Sequence, residues 1–346
     1  MKRNNALDGL RAWAICSVFM VHFNPALANV NLSHSIFSDY FSKVINFIFI
    51  GPFGVDIFFM LSGFLMTGVL VSKRFTISGF FISRLKRLFP AHFFVLAMQL
   101  TSCTLITGVL NLFFVAYFFE NIPLLNFVEW SLAYEFLFYL FVACLILATR
   151  SMTKIFFVSV TLLSCIVFVS FWFENIDGIV FHQFRIPMLR LAPFLLGVLL
   201  FCFDGSRPIK SIVKIINGLS PTYPFLIMLL ANFSGKQINI NLKITSYLLM
   251  LLFAFCLIFS MTNSRLVITR VFSYPKLTSL GKISYSFYLA HSLWAIPIAL
   301  NIVKPFGFLH GYPQYYLVSM LVSILIASYM YKYLERPYFS NSAVSS

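Results

Sequence analysis

Apolar residues along this chain fall into long blocks, and polar residues collect between the blocks. Most blocks are close to twenty residues, the length at which an α-helix crosses the roughly 30 Å hydrocarbon core of a bilayer. A transmembrane barrel would instead show shorter segments in which every second residue is apolar. The pattern therefore predicts an all-α fold, a polytopic transmembrane helical bundle of about 10 spans, at residues 10–27, 47–70, 80–106, 126–149, 154–173, 187–203, 221–233, 243–262, 281–302 and 314–334.

One block is short, and it leaves the number of spans open. Residues 221–233 begin with Pro221 and include Pro224, so this segment either crosses the membrane or re-enters it from one side. The sequence shows no internal repeat and no change of composition that marks a soluble domain. We therefore expect residues 1–346 to form a single membrane domain with no appended soluble domain.

The lysines and arginines predict the orientation of the spans, because cytoplasmic loops of membrane proteins are enriched in them. With ten spans and the N-terminus inside, the inner side collects 19 of the 25 basic residues. Both termini are therefore predicted to be cytoplasmic. The six basic residues left on the outer side are Lys43, Arg185, Arg190, Lys236, Lys243 and Lys304.

Composition favours a lipid bilayer as partner and argues against nucleic acid. The chain is 60% hydrophobic and 10% charged, whereas an average soluble domain is about 25% charged. The net charge of +15 is scattered between the apolar blocks and forms no basic stripe. The six cysteines lie in apolar segments without C-x-x-C spacing, so neither a metal site nor a disulfide framework is predicted.

The first apolar block also has an alternative interpretation. A basic N-terminus precedes it and residues 26–28 read Ala-Leu-Ala, as in a secretory signal peptide with an A-x-A cleavage site. However, Asp8, Arg11 and His22 all precede that site, which is poor signal-peptide composition. A retained membrane helix is the favoured interpretation.

Two polar residues of this first block lie on one face of the predicted helix. At about 100° and 1.5 Å per residue, His22 returns to within roughly 20° of the Arg11 face and lies about 16 Å deeper. Arg11 is then at the cytoplasmic entrance and His22 near the middle of the membrane, where an ionisable side chain is costly unless it faces protein or water. A satisfied core histidine with a snorkelling arginine is an equally good interpretation of the geometry alone.

A basic cluster opens the third block. In FISRLKRLFP, Arg84 and Arg87 are one helical turn apart and share a face, while Lys86 points elsewhere. Ordinary anchoring at the cytoplasmic surface explains such a cluster. Paired guanidinium groups also suit bidentate binding of phosphates, so a phosphate site is the functional alternative.

Ionisable side chains occur deep within three other blocks. They are Asp56 in GVDIFFMLSGF, Glu135 in EWSLAYEFLFY and His291 in LGKISYSFYLAHSLW. At 1.5 Å per residue, these three side chains and His22 lie about 15–21 Å from the cytoplasmic ends of their helices. This shared layer indicates a candidate site, because unpaired charges at that depth are costly. The structural alternative for Asp56 is a helix cap or a pairing with a helix neighbour.

These segments, in this order, resemble the acyltransferase 3 family of membrane acyltransferases, which includes O-antigen and other cell-surface polysaccharide O-acetylases. The resemblance covers nearly the whole chain and rests on LDGLRAWAICSVFMVHF, GVDIFFMLSGF, FISRLKRLFP, EWSLAYE, LGKISYSFYLAHS and YLERP. It implies a bundle of ten or so helices that takes an acyl group, by default acetyl, from cytosolic acyl-CoA. The bundle would deliver that group to a glycan hydroxyl on the far side of the membrane.

The resemblance also implies the partners and the location. Acetyl-CoA would be a co-substrate, with no permanently bound cofactor and no metal. The acceptor would be a surface glycan, such as lipopolysaccharide O-antigen, or its lipid-linked precursor. The expected location is the bacterial inner membrane, as a multi-pass protein.

Individual residues are carried over from the family motifs in the same way. Arg11 and His22 match a pair regarded as essential, and Arg84 and Arg87 match a pair associated with the acyl-CoA donor. Other recurrent motifs match Ser62-Gly63-Phe64 and Trp130-Ser131. The chain departs from the family pattern at Ala133, where a second serine is frequent. It also stops at Ser346, without the C-terminal esterase-like domain of some relatives.

The chemistry of acyl transfer suggests a division of roles. Transfer from a thioester to an alcohol needs a base, stabilisation of the tetrahedral oxyanion and correct positioning. His22 is the candidate base or a transient acyl carrier, and Arg11 would assist the arginine pair in holding the phosphates of CoA. Glu135 or Asp56 would orient the imidazole. Candidate oxyanion or acceptor contacts are Trp130, Ser131, Ser62, Tyr288 and His291.

A different class of function uses the same residues. In a secondary transporter or flippase, buried His, Asp and Glu side chains form a proton relay or a substrate path. This alternative gives no reason for paired arginines at the cytoplasmic entrance. A purely structural membrane protein would not need four buried ionisable groups.

Overall fold

The described part of the chain is helical throughout. The computed structural model describes residues 4–28, 30–32, 35–72, 76–99, 104–119, 121–149, 151–172, 179–204, 243–263, 267–305 and 311–340, which contain helices and turns but no strand. The predicted all-α class is therefore confirmed. The α-helices are α1 (Asn5–Ala26), α2 (Ile36–Ile48), α3 (Phe53–Val71), α4 (Ile77–Ala97), α5 (Leu105–Leu112), α6 (Trp130–Thr149), α7 (Met152–Trp172), α8 (Ile179–Asp204), α9 (Lys243–Asn263), α10 (Val267–Phe272), α11 (Pro275–Lys282), α12 (Ser284–Ala290), α13 (Ile296–Val303), α14 (Tyr312–Met330) and α15 (Arg336–Ser340).

Helix length and composition make this a multi-pass membrane protein. Within the described ranges, six segments are long and apolar enough to cross a membrane. Two shorter apolar helices, Leu189–Phe203 and Tyr247–Phe259, accompany them. The count of ten spans and the cytoplasmic termini stay predictions, and the uncertain segment 221–233 lies outside the described residues. The six segments are Asn5–Ala26, Ile36–Val71, Phe127–Thr149, Met152–Ser170, Ser284–Val303 and Tyr312–Tyr338.

Two helix boundaries differ from the predicted ones. The block at 47–70 begins as a helix only at Phe53, because Gly51 adopts a left-handed backbone with φ of 62° and separates α2 from α3. The block at 80–106 was predicted as one span, but α4 ends at Ala97. A new helix, α5, begins at Leu105, where the side chain of Thr104 accepts a hydrogen bond from the backbone N–H of Thr107.

Two of the spans contain a π-helical turn. Residues His291–Ala295 form such a turn between α12 and α13, and Tyr331–Glu335 form another between α14 and α15. A π-helical turn weakens the regular hydrogen-bond ladder and is frequently found at functional sites. The first turn begins at a histidine predicted as a site residue.

The chain divides into two compact units. The first unit comprises Met1–Arg11, Phe53–Ile77 and Leu137–Thr278, and the second comprises Ala12–Pro52, Ser78–Phe136 and Ser279–Ser346. Helix α1 contributes its first residues to the first unit and the rest to the second. Arg11 and His22 therefore belong to different units, although they share one helix.

The first unit is held by a close crossing of α3 and α8. A Cβ atom at Gly63 would lie 2.2 Å from the carbonyl oxygen of Phe194, and one at Gly197 would lie 2.1 Å from that of Met60. Small residues allow such approach of two backbones, which is how many membrane helices associate. Beside the crossing, the ring of Phe194 stacks on that of Phe59 at 4.2 Å between centroids.

The second unit packs aromatic side chains of α1 against the C-terminal helices. The ring of Phe19 lies 6.0 Å from that of Phe287, and the ring of Phe23 lies 5.7 Å from that of Tyr316. The Tyr312 hydroxyl donates a hydrogen bond of 2.8 Å to the side-chain oxygen of Asn24. These contacts flank His22 along α1 and fix the helix that carries it.

The crossing of α3 and α8 predicts that Gly63→Ala destabilises the first unit. The added methyl group meets backbone atoms that cannot move aside, and overpacking of this kind costs about 1–3 kcal/mol. Thermal unfolding in detergent measures the effect. Gly68→Ala is the matched control, because Gly68 is half-buried on the same helix and alanine favours helix formation. Equal unfolding temperatures for the two variants would contradict this role of Gly63.

Candidate functional site

Two histidines predicted from separate segments lie side by side in the second unit. The ring centroids of His22 and His291 are 5.0 Å apart, with the rings inclined at 65°. His291 is fully buried, whereas His22 is half-buried. The other ring beside His22 belongs to Phe127, at 6.2 Å, and Phe127 is 68% exposed. His22 therefore faces the protein interior on one side and remains reachable on the other.

The hydrogen bonds of His291 identify which of its nitrogens carries the proton. Nδ1 lies 2.8 Å from the carbonyl oxygen of Tyr288 and 3.1 Å from that of Phe287. Carbonyl oxygens only accept hydrogen bonds, so Nδ1 must be the protonated nitrogen. Nε2 then carries a lone pair, and it is buried without a hydrogen-bond partner in the described part of the chain.

Two further predicted residues, Tyr288 and Ser131, contact each other. The Tyr288 hydroxyl donates a 2.6 Å hydrogen bond to the carbonyl oxygen of Val128, and it lies 2.8 Å from the Ser131 hydroxyl. Because the proton of Tyr288 is used by this carbonyl, Ser131 donates either to Tyr288 or to Val128 itself, at 3.3 Å. Neither hydroxyl would reach a developing oxyanion without breaking one of these bonds. Their catalytic role therefore stays a prediction, while their structural role is visible.

A buried His–Glu pair that the sequence did not predict lies in the same unit. Nδ1 of His92 is 3.2 Å from Oε1 of Glu129, and their side chains are 0% and 2% exposed. Glu129 is therefore a buried neighbour of His92 rather than an exposed side chain. Nε2 of His92 lies 3.1 Å from the carbonyl oxygen of Asn111, so Nε2 donates and Nδ1 faces the carboxylate.

Asparagine side chains complete a network around the turn that precedes α6. The side chain of Asn111 donates to the carbonyl oxygen of Pro123 at 3.0 Å and accepts from the backbone N–H of Leu125 at 3.1 Å. The side chain of Asn126 donates to the carbonyl oxygen of Leu289 at 3.0 Å. Together with the His–Glu pair, these bonds hold the turn that places Phe127 beside His22.

Asp56 takes part in a different interaction, in the first unit. Its carboxylate accepts bonds of 3.0 Å from Nη1 of Arg190 at both oxygens, and Oδ1 accepts another of 3.0 Å from the Tyr247 hydroxyl. Asp56 is 1% exposed and Arg190 22%. The structural alternative for Asp56, a pairing with another helix, is therefore confirmed. An additional role in orienting His22 stays a prediction.

The arginine motifs occupy half-exposed positions. Arg84 and Arg87 are partly accessible on α4, and Lys86 between them is exposed. The guanidinium of Arg84 lies 5.8 Å from the ring centroid of Phe80, on the preceding turn. In the first unit, the guanidinium of Arg11 lies 6.0 Å from the ring centroid of Phe58.

The remaining predicted residues lie on the helices expected to carry them. Glu135 is half-buried on α6, and Ser62 is half-buried on α3. The ring of Trp130 lies 6.1 Å from that of Tyr134 and 6.5 Å from that of Tyr117. The structure thus brings His22, His291, Tyr288 and Ser131 into one unit, while Asp56 is bonded to Arg190 in the other.

The motif order and this geometry agree with a match to a known family. Residues 4–332 match the model of the acyltransferase 3 family, which is described as an acyltransferase domain. The chain belongs to the acyltransferase 3 family. The predicted resemblance is therefore confirmed.

Named relatives of this acyltransferase 3 chain come from Staphylococcus aureus. "Putative O-acetyltransferase SAS0844" of strain MSSA476 is 27% identical over 387 residues, which cover 98% of this chain and 58% of that protein. "O-acetyltransferase OatA" of strain NCTC 8325 / PS 47 is 26% identical over 371 residues, covering 96% and 56%. The chain thus spans a little over half the length of these curated relatives. No solved structure matches it.

The His92–Glu129 pair of this acyltransferase 3 protein predicts a non-additive effect on stability. Removing either partner leaves a buried group without its counterpart, so His92→Leu and Glu129→Leu should each cost about 3–5 kcal/mol of unfolding free energy. The double variant should cost much less than the sum, because an apolar pair can replace a buried ionic pair. Denaturant unfolding in one detergent measures all three. Additive losses would show that the two side chains act independently.

The Asp56–Arg190 pair predicts a second effect in the first unit. Arg190→Met keeps the length of the side chain but leaves the Asp56 carboxylate buried without its counter-charge, so the unfolding temperature should fall by about 5 °C or more. Adding Asp56→Asn should recover part of that loss. A thermal scan with detection of monodisperse protein measures both variants. No recovery in the double variant would mean that Arg190 stabilises the unit through contacts other than the ion pair.

Proposed function

We propose that the protein is a membrane-embedded O-acyltransferase, which moves an acyl group, most simply acetyl, from acyl-CoA to a hydroxyl of a cell-surface glycan. The observation that carries this proposal is the half-buried His22, which is reachable on one side and lies beside the buried His291. Membership of the acyltransferase 3 family and the O-acetyltransferase names of the relatives support it. The histidine would act on the acceptor hydroxyl or on the acyl group itself.

The proposed reaction balances without any further reactant. The neutral imidazole of His22 accepts the proton of the acceptor hydroxyl while the hydroxyl oxygen attacks the thioester carbonyl. Collapse of the tetrahedral intermediate breaks the C–S bond, and the thiolate of CoA takes the proton from His22. If His22 instead carries the acyl group, its imidazole first displaces the thiolate of CoA, which takes the imidazole proton, and an acyl-imidazole forms. The acceptor hydroxyl then displaces the imidazole, which takes the hydroxyl proton. Both routes need an imidazole lone pair that faces the substrates.

The arginines of α4 are the proposed binding groups for the acyl-CoA donor. Arg84 and Arg87 share a helix face and are both partly accessible. Their planar guanidinium groups suit the phosphates of CoA. Arg11 is assigned to the same donor by the resemblance of its motif.

The proposed setting is a bacterial inner membrane, where the cytosol supplies acyl-CoA. The acceptors to test first are lipopolysaccharide O-antigen and its lipid-linked precursor. A transporter is the alternative class, because ionisable residues inside membrane helices also occur in substrate paths. In the described structure, Asp56 contacts Arg190 and Glu129 contacts His92.

The proposed function predicts acetyl transfer that depends on His22. Membranes containing the wild-type protein should incorporate radiolabel from acetyl-CoA into surface polysaccharide. His22→Ala should lower the rate by about 10²-fold or more, because a general base contributes about 10²–10⁴-fold. Arg84→Ala should raise the KM for acetyl-CoA. Lys86→Ala is its matched control, since it removes a positive charge from the same helix turn on another face.

Three outcomes would contradict the proposed function or one of the residue roles assigned in it. Absence of label with wild-type protein, across acyl-CoA donors and candidate acceptors, would favour the transporter. Full activity of His22→Ala at matched protein level would remove His22 from the reaction. Equal effects of Arg84→Ala and Lys86→Ala would show that the cluster acts as a membrane anchor rather than as a phosphate site.

A further inference from the structure

We infer that His291 is the positioning residue of His22: its Nε2 accepts a hydrogen bond from the His22 imidazole and so determines which His22 nitrogen presents a lone pair to the substrates. The inference rests on the proposed function for its catalytic meaning. The contact itself stands on the geometry of the two rings. It goes beyond the assignment of His291 as an oxyanion or acceptor contact, because His291 would contact His22 and not the substrates.

The first argument is that Nε2 of His291 needs a donor. Two carbonyl oxygens hold the Nδ1 proton, and Nε2 is fully buried without a partner in the described residues. A buried acceptor without a hydrogen bond is unfavourable, so native structures generally supply a donor.

Among the described rings that contact His291, the ring of His22 can be this donor. The rings around it belong to Phe19, Phe287, Tyr288 and His22, at 6.4, 5.9, 5.9 and 5.0 Å between centroids. Phenylalanine has no polar hydrogen, and the Tyr288 hydroxyl donates to the carbonyl oxygen of Val128. His22 is the nearest of the four and carries an N–H group in either tautomer.

The second argument is the difference in burial between the two histidines. His291 is 0% exposed, so a substrate cannot reach it without rearrangement of the helices around it. His22 is half-buried beside the exposed ring of Phe127 and is open to a substrate. The two rings therefore have different roles: His22 is the catalytic residue, and His291 acts through it.

The backbone supplies a third argument. The π-helical turn begins at His291, and its wider ladder joins the N–H of Ile296 to the carbonyl oxygen of His291. The Nδ1 contacts with the preceding turn lock the orientation of the ring at the same place. The turn and these two bonds together fix the orientation of the His291 ring.

The chemical consequence is a fixed tautomer of His22. When one nitrogen of His22 donates to His291, its other nitrogen must carry the lone pair. That lone pair accepts the hydroxyl proton in direct transfer and attacks the thioester in the two-step route. The inference therefore holds for either route.

Two substitutions of His291 separate positioning from packing. Asparagine retains an amide N–H near the position of Nδ1 but has nothing at the position of Nε2, whereas glutamine can place its amide oxygen near Nε2. His291→Asn should lower kcat for acetyl transfer by about 10²-fold with little change in KM, the size expected for a misplaced catalytic group. His291→Gln should stay within about tenfold of wild type, as partial replacement of a supporting contact does.

Chemical labelling measures the reactivity of the His22 imidazole without any substrate. Purified protein in detergent is treated with diethylpyrocarbonate, and the rate of carbethoxylation of His22 is followed by peptide mass spectrometry. We expect labelling to slow several-fold in His291→Asn and to recover in His291→Gln. Unfolding temperatures within a few degrees of wild type show that both variants are folded.

Different failures have different meanings. Equal losses of kcat in the asparagine and glutamine variants, in step with lost thermal stability, would overturn the inference in favour of packing. Unchanged labelling of His22 in His291→Asn would also overturn it. If wild-type protein transfers no acyl group but the labelling rates differ as expected, the contact stands and the proposed function fails.

Discussion

A bilayer offers no water to a buried polar group, so every such group must find its partner within the protein. The described structure pairs some of these groups through contacts between segments distant in sequence: Asp56 with Arg190 in one unit, and His92 with Glu129 in the other. Nε2 of His291 is one of several buried polar atoms of the described residues that have no hydrogen-bond partner. It lies beside the one neighbouring ring that can satisfy it, and that ring is partly open to the surroundings.

The depth of a polar residue can be predicted from sequence, because a helix rises by a constant amount per residue. Counting residues from the predicted cytoplasmic ends of the helices placed His22 and His291 in one layer, and their ring centroids are 5.0 Å apart. The same counting placed Asp56 in that layer but could not identify its partner. Periodicity shows which face of a helix is buried, not which other helix covers that face. Arg190 was therefore used only as a marker of topology.

Other features were hidden because their local signals are weak. Glu129 precedes a tryptophan at the start of a helix, a position typical of the membrane interface, and only the fold brings His92 to it. The end of α4 at Ala97 is marked by neither proline nor glycine, so the apolar run past it resembled a longer helix. Thr104 was the available sign of a new start, since threonine favours the N-cap position.

The ion pair of α3 and α8 has a consequence for biosynthesis. Arg190 follows Asp56 by 134 residues, so α3 is made long before its counter-charge exists. At about 5–20 residues per second, roughly 7–27 s pass between the synthesis of Asp56 and that of Arg190. During that interval the carboxyl group must be protonated, remain in the insertion machinery or be shielded by another chain. The ion pair between α3 and α8 can form only after α8 has been synthesised.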